Sequence, residues 1–285
     1  MSGFSLPAPA KLNLFLHITG RRADGYHELQ TLFVLLDYGD TVHFERADEL
    51  SLSVPEGVPA GADNLVWRAA RRLAEHCGID AGAHLQLVKQ LPAGAGLGGG
   101  SSDAATTLLG LNRLWGLDLS TEELARLGVA LGADVPVFVH GRSAWAEGIG
   151  EQLTPVTLPA QPYMVIWPEI SVPTAEIFQD RQLTRDTPKS RLAAFLEPGS
   201  EARFGNDCEA IVARRFPAVR DALHWLEEHA GNARMTGTGA CVFARIPDRT
   251  TGDRLLAQLP ARWKGFVACS VNESPAVTAL QMTTR

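Results

Sequence analysis

Thirteen residues constrain this chain more than any others: Pro92-Ala-Gly-Ala-Gly-Leu-Gly-Gly-Gly-Ser-Ser-Asp-Ala104. Five glycines (Gly94, Gly96, Gly98, Gly99 and Gly100) leave the main chain nearly without Cβ atoms and free to adopt positive φ, so successive N–H groups can turn towards one centre. Ser101 and Ser102 then open an apolar run, Ala104 to Leu114, that reads as a helix. A bare amide nest leading into a helix N-terminus favours an anion, and phosphate is the usual one. As a packing device alone the glycines would waste stability, since each loses much conformational entropy on ordering. The chain is therefore expected to handle a nucleotide.

The surrounding pattern is that of an α+β protein. Ala10 to His17 alternates, with Leu12, Leu14 and Leu16 on one face and Lys11, Asn13, Phe15 and His17 on the other, which predicts a strand. Gly20 to His27 is a turn-rich loop, and Leu29–Leu36 and Thr41–Glu45 read as further strands. Asp63 is the predicted N-cap of a helix reaching about His76, and His84–Leu91 reads as the strand delivering the glycine loop. Two helices follow, about Ser101–Trp115 and Ser120–Leu131, the second opened by the capping box Ser120-Thr-Glu-Glu123. Gly132-Ala-Asp-Val-Pro136 breaks it and leads into a short apolar segment. Prolines 155, 159 and 162 mark a boundary, giving domains 1–155 and 156–285. Beyond it, strands are predicted at Tyr163–Trp167, Val242–Arg245 and Phe266–Val271, with helices at Thr174–Asp180 and from Asn206, Pro217 and Thr250.

Composition removes several classes of function. A net charge of −6 disfavours nucleic acid or an anionic membrane as a partner. Cys77, Cys208, Cys241 and Cys269 are scattered without a Cys-x-x-Cys pair, which fits a reducing, cytoplasmic setting and argues against structural zinc or a disulfide framework. The N-terminal stretch lacks the basic and apolar regions of a secretory signal, and no apolar run is long enough to span a membrane. On oligomeric state the expectation goes no further than a monomer or weak homodimer.

Three kinds of glycine loop compete. A Walker A loop ends in Gly-Lys-Ser/Thr, but Ser101 follows Gly100 directly. The dinucleotide pattern is met formally by Gly94, Gly96 and Gly99, which would make the chain a nicotinamide-dependent oxidoreductase. That site needs a second strand ending in an acid about 20 residues on, and here helix runs into helix. The third reading takes the whole segment from Pro92 to Ser102. It resembles the phosphate loop of the galactokinase, homoserine kinase, mevalonate kinase and phosphomevalonate kinase superfamily. Pro9-Ala-Lys-Leu-Asn-Leu14 resembles the first motif of that superfamily, and Met235-Thr-Gly-Thr-Gly-Ala-Cys241 its third. Together with Arg22-Ala-Asp-Gly-Tyr-His27, Gly132-Ala-Asp-Val-Pro-Val-Phe138 and Asn206-Asp-Cys208, these segments are similar to the branch that phosphorylates a cytidine-diphosphate-linked methylerythritol in non-mevalonate isoprenoid synthesis. The resemblance runs from about Pro7 to Ser274; another kinase of the superfamily, of the homoserine or mevalonate type, is the alternative.

The resemblance implies an N-terminal fold like that of ribosomal protein S5, a ferredoxin-like C-terminal fold and an active site in the cleft between them. It implies ATP, with Mg²⁺ held largely by phosphates and water, since no acid is assigned as metal ligand; Asp103 and Glu147 are weak candidates. Residues Pro92, Ala93, Gly94, Ala95, Gly96, Leu97, Gly98, Gly99, Gly100, Ser101 and Ser102 are expected to hold the nucleotide. Asp134, an acid in an apolar stretch, must be paired or functional; it is the candidate base, and Lys11 its candidate partner. Tyr26, His27 and Phe178 are implied as the cytosine pocket. Asn13 is expected at the alcohol, Thr174 at the diphosphate, and Gly237, Thr238 and Gly239 along the substrate.

Overall fold

The computed structural model describes residues 3–282, without the side chains of residues 201 and 202; the outermost residues of both expected domains therefore lie outside the described residues. The first half contains strands β1 (Phe4–Arg21), β2 (His27–Arg46), β3 (Leu50–Ser53), β4 (Ala83–Val88), β5 (Ala144–Glu147) and β6 (Gln152–Pro155). Its helices are α1 (Leu65–Cys77), α2 (Gly99–Trp115), α3 (Thr121–Val129) and α4 (Val135–His140). The second half contains β7 (Pro162–Trp167), α5 (Thr174–Gln179), α6 (Leu192–Phe195), α7 (Glu209–Arg215), α8 (Pro217–Ala230), β8 (Arg234–Met235), β9 (Val242–Arg245), α9 (Arg249–Leu256), β10 (Lys264–Val271) and α10 (Pro275–Met282).

The fold is α+β. β1 and β2 form a long antiparallel hairpin with register shifts between Pro9 and Lys11, between Asn13 and Leu16, and between Ile18 and Gly20. Two separate strands were expected where β2 runs unbroken through Asp37-Tyr-Gly-Asp40. The continuity depends on Gly39, where a Cβ would stand 2.1 Å from the Ala8 carbonyl oxygen across the hairpin. Among the described residues the main path of the sheet runs β3-β4-β2-β10-β7-β9-β8. β10 thus pairs with β7 along its length and with β2 through Ser270–Leu36 and Val271–Leu35.

Helices cover the sheet through their apolar faces. Ala104, Ala105, Leu108 and Leu111 of α2 are fully buried beside Val66, Ala69, Ala70 and Leu73 of α1. The N-cap of α1 is Asn64 rather than Asp63, its side chain accepting the Val66 N–H at 2.8 Å. The capping box of α3 forms as expected. The apolar stretch after Gly132 is the short helix α4, whose six residues give no readable periodicity. A second core joins β7, β9 and β10 to α7, α8 and α9, and a third, rich in aromatic rings, lies between them and includes Ala95 and Leu97 of the glycine loop.

Gly110 brings α2 close against β2: a Cβ there would meet the ring of buried Phe44 at 2.2 Å. Gly110→Ala is expected to cost about 1–3 kcal/mol through overpacking. Urea unfolding measures it, and an unchanged midpoint would mean that the ring moves aside freely.

Candidate active site

The glycine loop is anchored by its carbonyl groups. The Lys11 N–H of β1 donates to Leu97 O at 3.0 Å, the Cys241 N–H to Ala95 O at 3.0 Å, and the Thr236 hydroxyl to Gly96 O at 3.1 Å. Two segments far apart in sequence, β1 and the 236–241 turn, therefore meet on three consecutive peptide groups. Gly94, Gly96 and Gly98 adopt φ of +63°, +80° and +70°. Side chains cannot replace two of them cheaply. A Cβ on Gly96 would stand 2.2 Å from Thr236 O, and one on Gly98 would meet the Phe138 ring at 2.9 Å and Lys11 Cε at 3.1 Å.

Gly98 is also the N-cap of α2, so the helix begins two residues earlier than the serines suggested. Its first internal bond is Ser102 N–H to Gly98 O at 2.8 Å. No described hydrogen bond takes the N–H groups of Gly99, Gly100 or Ser101. The Ser102 hydroxyl, fully buried at the same helix end, likewise lacks a described partner. Carbonyls tied back and amides left unpaired together fit a polyphosphate.

Beside this nest, Lys11 is buried with its Nζ 3.3 Å from an Asp134 carboxylate oxygen. Nζ also donates to Asn13 Oδ1 and lies 5.1 Å from the centre of the Phe33 ring. Asn13 is oriented by its amide donating to the Thr31 hydroxyl at 2.9 Å, which leaves Oδ1 facing the lysine. Asp134 occupies the N-cap position of α4 but makes no capping bond, and its side chain stays about one-third exposed. Its carboxylate serves the ion pair instead of the helix.

These groups line a cavity of about 400 Å³ with Pro92, Gly94, Ala95, Gly96, Gly98, Gly99, Gly100, Ser101, Thr174, Phe178, Gly237 and Thr238. Ala93, Leu97, Ser102 and Gly239 are not among its lining residues: Ala93 is exposed, Leu97 points into the core, Ser102 is buried in α2, and Gly239 packs on Met235. Asn206 holds the 235–239 turn by donating to Met235 O and Gly237 O at 2.9 and 2.8 Å, and Thr174 and Thr238 share a hydroxyl bond of 2.8 Å.

A second cavity of about 660 Å³ carries Tyr26, His27, Phe178 and Arg185, and shares Leu29, Ala133, Ile149, Thr174 and Phe178 with the first. The His27 and Phe178 rings stack directly, centroids 5.1 Å apart, which leaves no room for a third ring between them. Tyr26 is exposed beside them. Partial burial, with the cations Arg185 and Arg21 adding to it, lowers the pKa of His27. Thr31 and Arg185 were not singled out from the sequence, and Asn206 and Thr236 were quoted within motifs but given no role of their own. Thr236 lies inside the Met235-Thr-Gly motif, whereas Arg185 sits in an irregular segment with no periodicity to mark it.

Beneath the loop lies a buried ion cluster. Asp40 accepts the N–H groups of Gln90 and Leu91 at 2.6 and 2.8 Å and pairs with Lys89, whose Nζ also reaches Asp103 at 2.8 Å. Asp103 therefore faces away from the nest. Burial pushes its carboxyl up to about 7, opposed by Lys89 and reinforced by the Asp40 charge. Burial acts to lower the Lys89 pKa, but the two carboxylates outweigh it and the net shift is upward. Glu147 accepts from Gln30 at 2.8 Å, so both acids weighed as metal ligands have protein partners. Among the described residues no group of three or more His, Cys, Asp or Glu could hold a metal ion, and no helix is long and apolar enough to cross a membrane.

The dinucleotide reading fails on topology, because α2 runs into α3 where a second strand is required. Residues 64–142 match the model of the GHMP kinases N terminal domain, and residues 189–265 that of the GHMP kinases C terminal domain. The chain is 58% identical to the 4-diphosphocytidyl-2-C-methyl-D-erythritol kinase of Alcanivorax borkumensis, over 95% of this chain and 92% of that protein. It is 51% identical to the protein of the same name from Hahella chejuensis, over 97% and 96%. A crystal structure of 4-(cytidine 5'-diphospho)-2C-methyl-D-erythritol kinase superposes with a TM-score of 0.81 at 34% identity, covering 94% of this chain and 99% of that one. A mevalonate kinase shares the fold at TM-score 0.69 and 15% identity. The chain belongs to the GHMP kinases and, within them, to the 4-diphosphocytidyl-2-C-methyl-D-erythritol kinase family.

Lys89→Met would leave Asp40 and Asp103 buried without their cation. It is expected to cost about 3–5 kcal/mol of stability, measured by denaturant unfolding near neutral pH. A loss below about 1 kcal/mol would show that the carboxylates are neutralised without the lysine.

Proposed function

We propose that this chain transfers the γ-phosphoryl group of ATP to the 2-hydroxyl of 4-diphosphocytidyl-2-C-methyl-D-erythritol, a step of non-mevalonate isoprenoid synthesis. The observation that carries the reading is the Lys11–Asp134 pair, 3.3 Å apart, lining the same cavity as the unpaired amide nest. Phosphoryl transfer needs little covalent help from the protein and much positioning, with positive charge near the peripheral oxygens.

In this reading the amides of Gly99, Gly100 and Ser101 and the dipole of α2 hold the phosphates. The amine of Lys11 faces the transferring group. Asp134 accepts the proton of the acceptor hydroxyl, and its ion pair with Lys11 fixes where that carboxylate points. Asn13, locked by Thr31, presents a fixed polar edge to the alcohol. Magnesium bound with the nucleotide neutralises phosphate charge, and no protein ligand is assigned to it. The diphosphate passes Thr174, Gly237 and Thr238 between the two cavities. Because His27 and Phe178 are already in contact, the cytosine stacks on the aromatic wall facing Tyr26, with His27 at its edge. The site then lies between an N-terminal S5-like unit, 1–155, and a ferredoxin-like unit, 156–285.

ATP turnover with this acceptor, set against homoserine and mevalonate, tests the assignment; phosphorylation that ignores the cytidine diphosphate group would overturn it. Asp134→Asn is expected to lower kcat by about 10²–10⁴-fold with ATP affinity nearly unchanged; near-normal turnover would remove Asp134 from proton transfer. Phe178→Ala should raise the acceptor KM by about tenfold or more through lost stacking. An unchanged KM would return that ring to a packing role.

A further inference from the structure

We infer that Arg185 is a positioning residue for base recognition: by donating to His27 it fixes the imidazole in one tautomer and thereby selects cytosine over uracil. The inference rests on the cytidine reading of the second cavity. The Arg185 Nε–H donates to His27 Nε2 at 3.1 Å. A guanidinium has donors only, so Nε2 must offer its lone pair, and the single proton of the neutral ring resides on Nδ1. Nδ1 has no partner among the described hydrogen bonds, while the ring lines the cavity. It therefore presents a donor to whatever enters.

Arg185 cannot swing away cheaply. Its Nη1 donates to Leu183 O at 3.0 Å, and Nη2 donates to Phe178 O at 2.9 Å and to Asp180 O at 2.8 Å. The same side chain thus holds the end of α5 that carries Phe178 and the ring stacked against it. The Watson–Crick edge of cytosine has acceptors at N3 and O2, which suit a ring N–H. Uracil carries a hydrogen on N3, so donor would meet donor and both would lose their water partners.

A staple with only a structural role would weaken both pyrimidines alike, whereas a tautomer lock acts on their ratio. Nitrogen chemical shifts of His27 in the wild-type protein report the tautomer directly, and are expected to show a protonated Nδ1 and an unprotonated Nε2. In parallel, kcat/KM is measured for the cytidine diphosphate acceptor and its uridine diphosphate counterpart with wild type, Arg185→Lys and Arg185→Met. The cytidine preference should fall by roughly tenfold in Arg185→Met, as expected for losing one enforced buried hydrogen bond. It should be partly kept in Arg185→Lys, which retains a donor. A wild-type His27 protonated on Nε2, or an equal loss for both acceptors in Arg185→Met, would overturn the inference. Should Arg185→Met fail to fold, the wild-type tautomer and the Arg185→Lys ratio decide. Wild-type protein that phosphorylates neither acceptor would sink the kinase reading itself, whatever the tautomer.

Discussion

Three hydrogen bonds to the carbonyls of Ala95, Gly96 and Leu97 hold the rest of the site in place. They come from a turn near the C-terminal end and from the first strand, so the loop is set by contacts no local segment supplies. Carbonyls that point towards neighbouring protein force amides towards the opening, and a loop with its amides outward needs positive φ at alternate positions. The glycines are the only residues that allow both the backbone angles and the close approach of Thr236. The outward set of the amides is in this sense a by-product of how the loop is tethered.

Charge is managed in two layers. Lys11 and Asp134 pair on the cavity wall, with the carboxylate still partly in water. Below the loop, Asp40, Lys89 and Asp103 form a buried set in which one cation serves two acids, and Asp40 also grips the backbone where the loop begins. The two layers differ in purpose. The lower one joins the start of the loop to the first turn of α2 and is sheltered from solvent, whereas the upper one is open to an incoming ligand. Asp103, sitting in the helix where it would repel phosphate, is rendered harmless by turning down to the lysine.

Much of this was legible in the sequence because it is written in local rules. The strand β9, the helices α5 and α8 and the capping box of α3 follow from alternation, length and end signals, and α2 was misplaced only by the assumption that a serine rather than Gly98 opens it. The pairing of Lys11 with Asp134 could be anticipated because a lone acid in an apolar stretch needs a partner. What local pattern cannot convey is where the chain returns. The unbroken course of β2 depends on Ala8 lying against Gly39, and the short α4 gains its order from packing, not periodicity. Arg185 owes its role to four acceptors scattered over 158 positions of sequence separation at most. No window of neighbouring residues contains that information.

The order of strands in the sheet carries a consequence for how the molecule is made. β10 lies between β2 and β7, yet it follows every strand it joins in the chain. During synthesis on the ribosome the two halves of the sheet must wait with facing edges unpaired until β10 emerges, and such edges invite pairing with other chains. The edges of β2 and β7 that β10 will join therefore stay open until nearly the whole chain has emerged, and it is β10 that closes them.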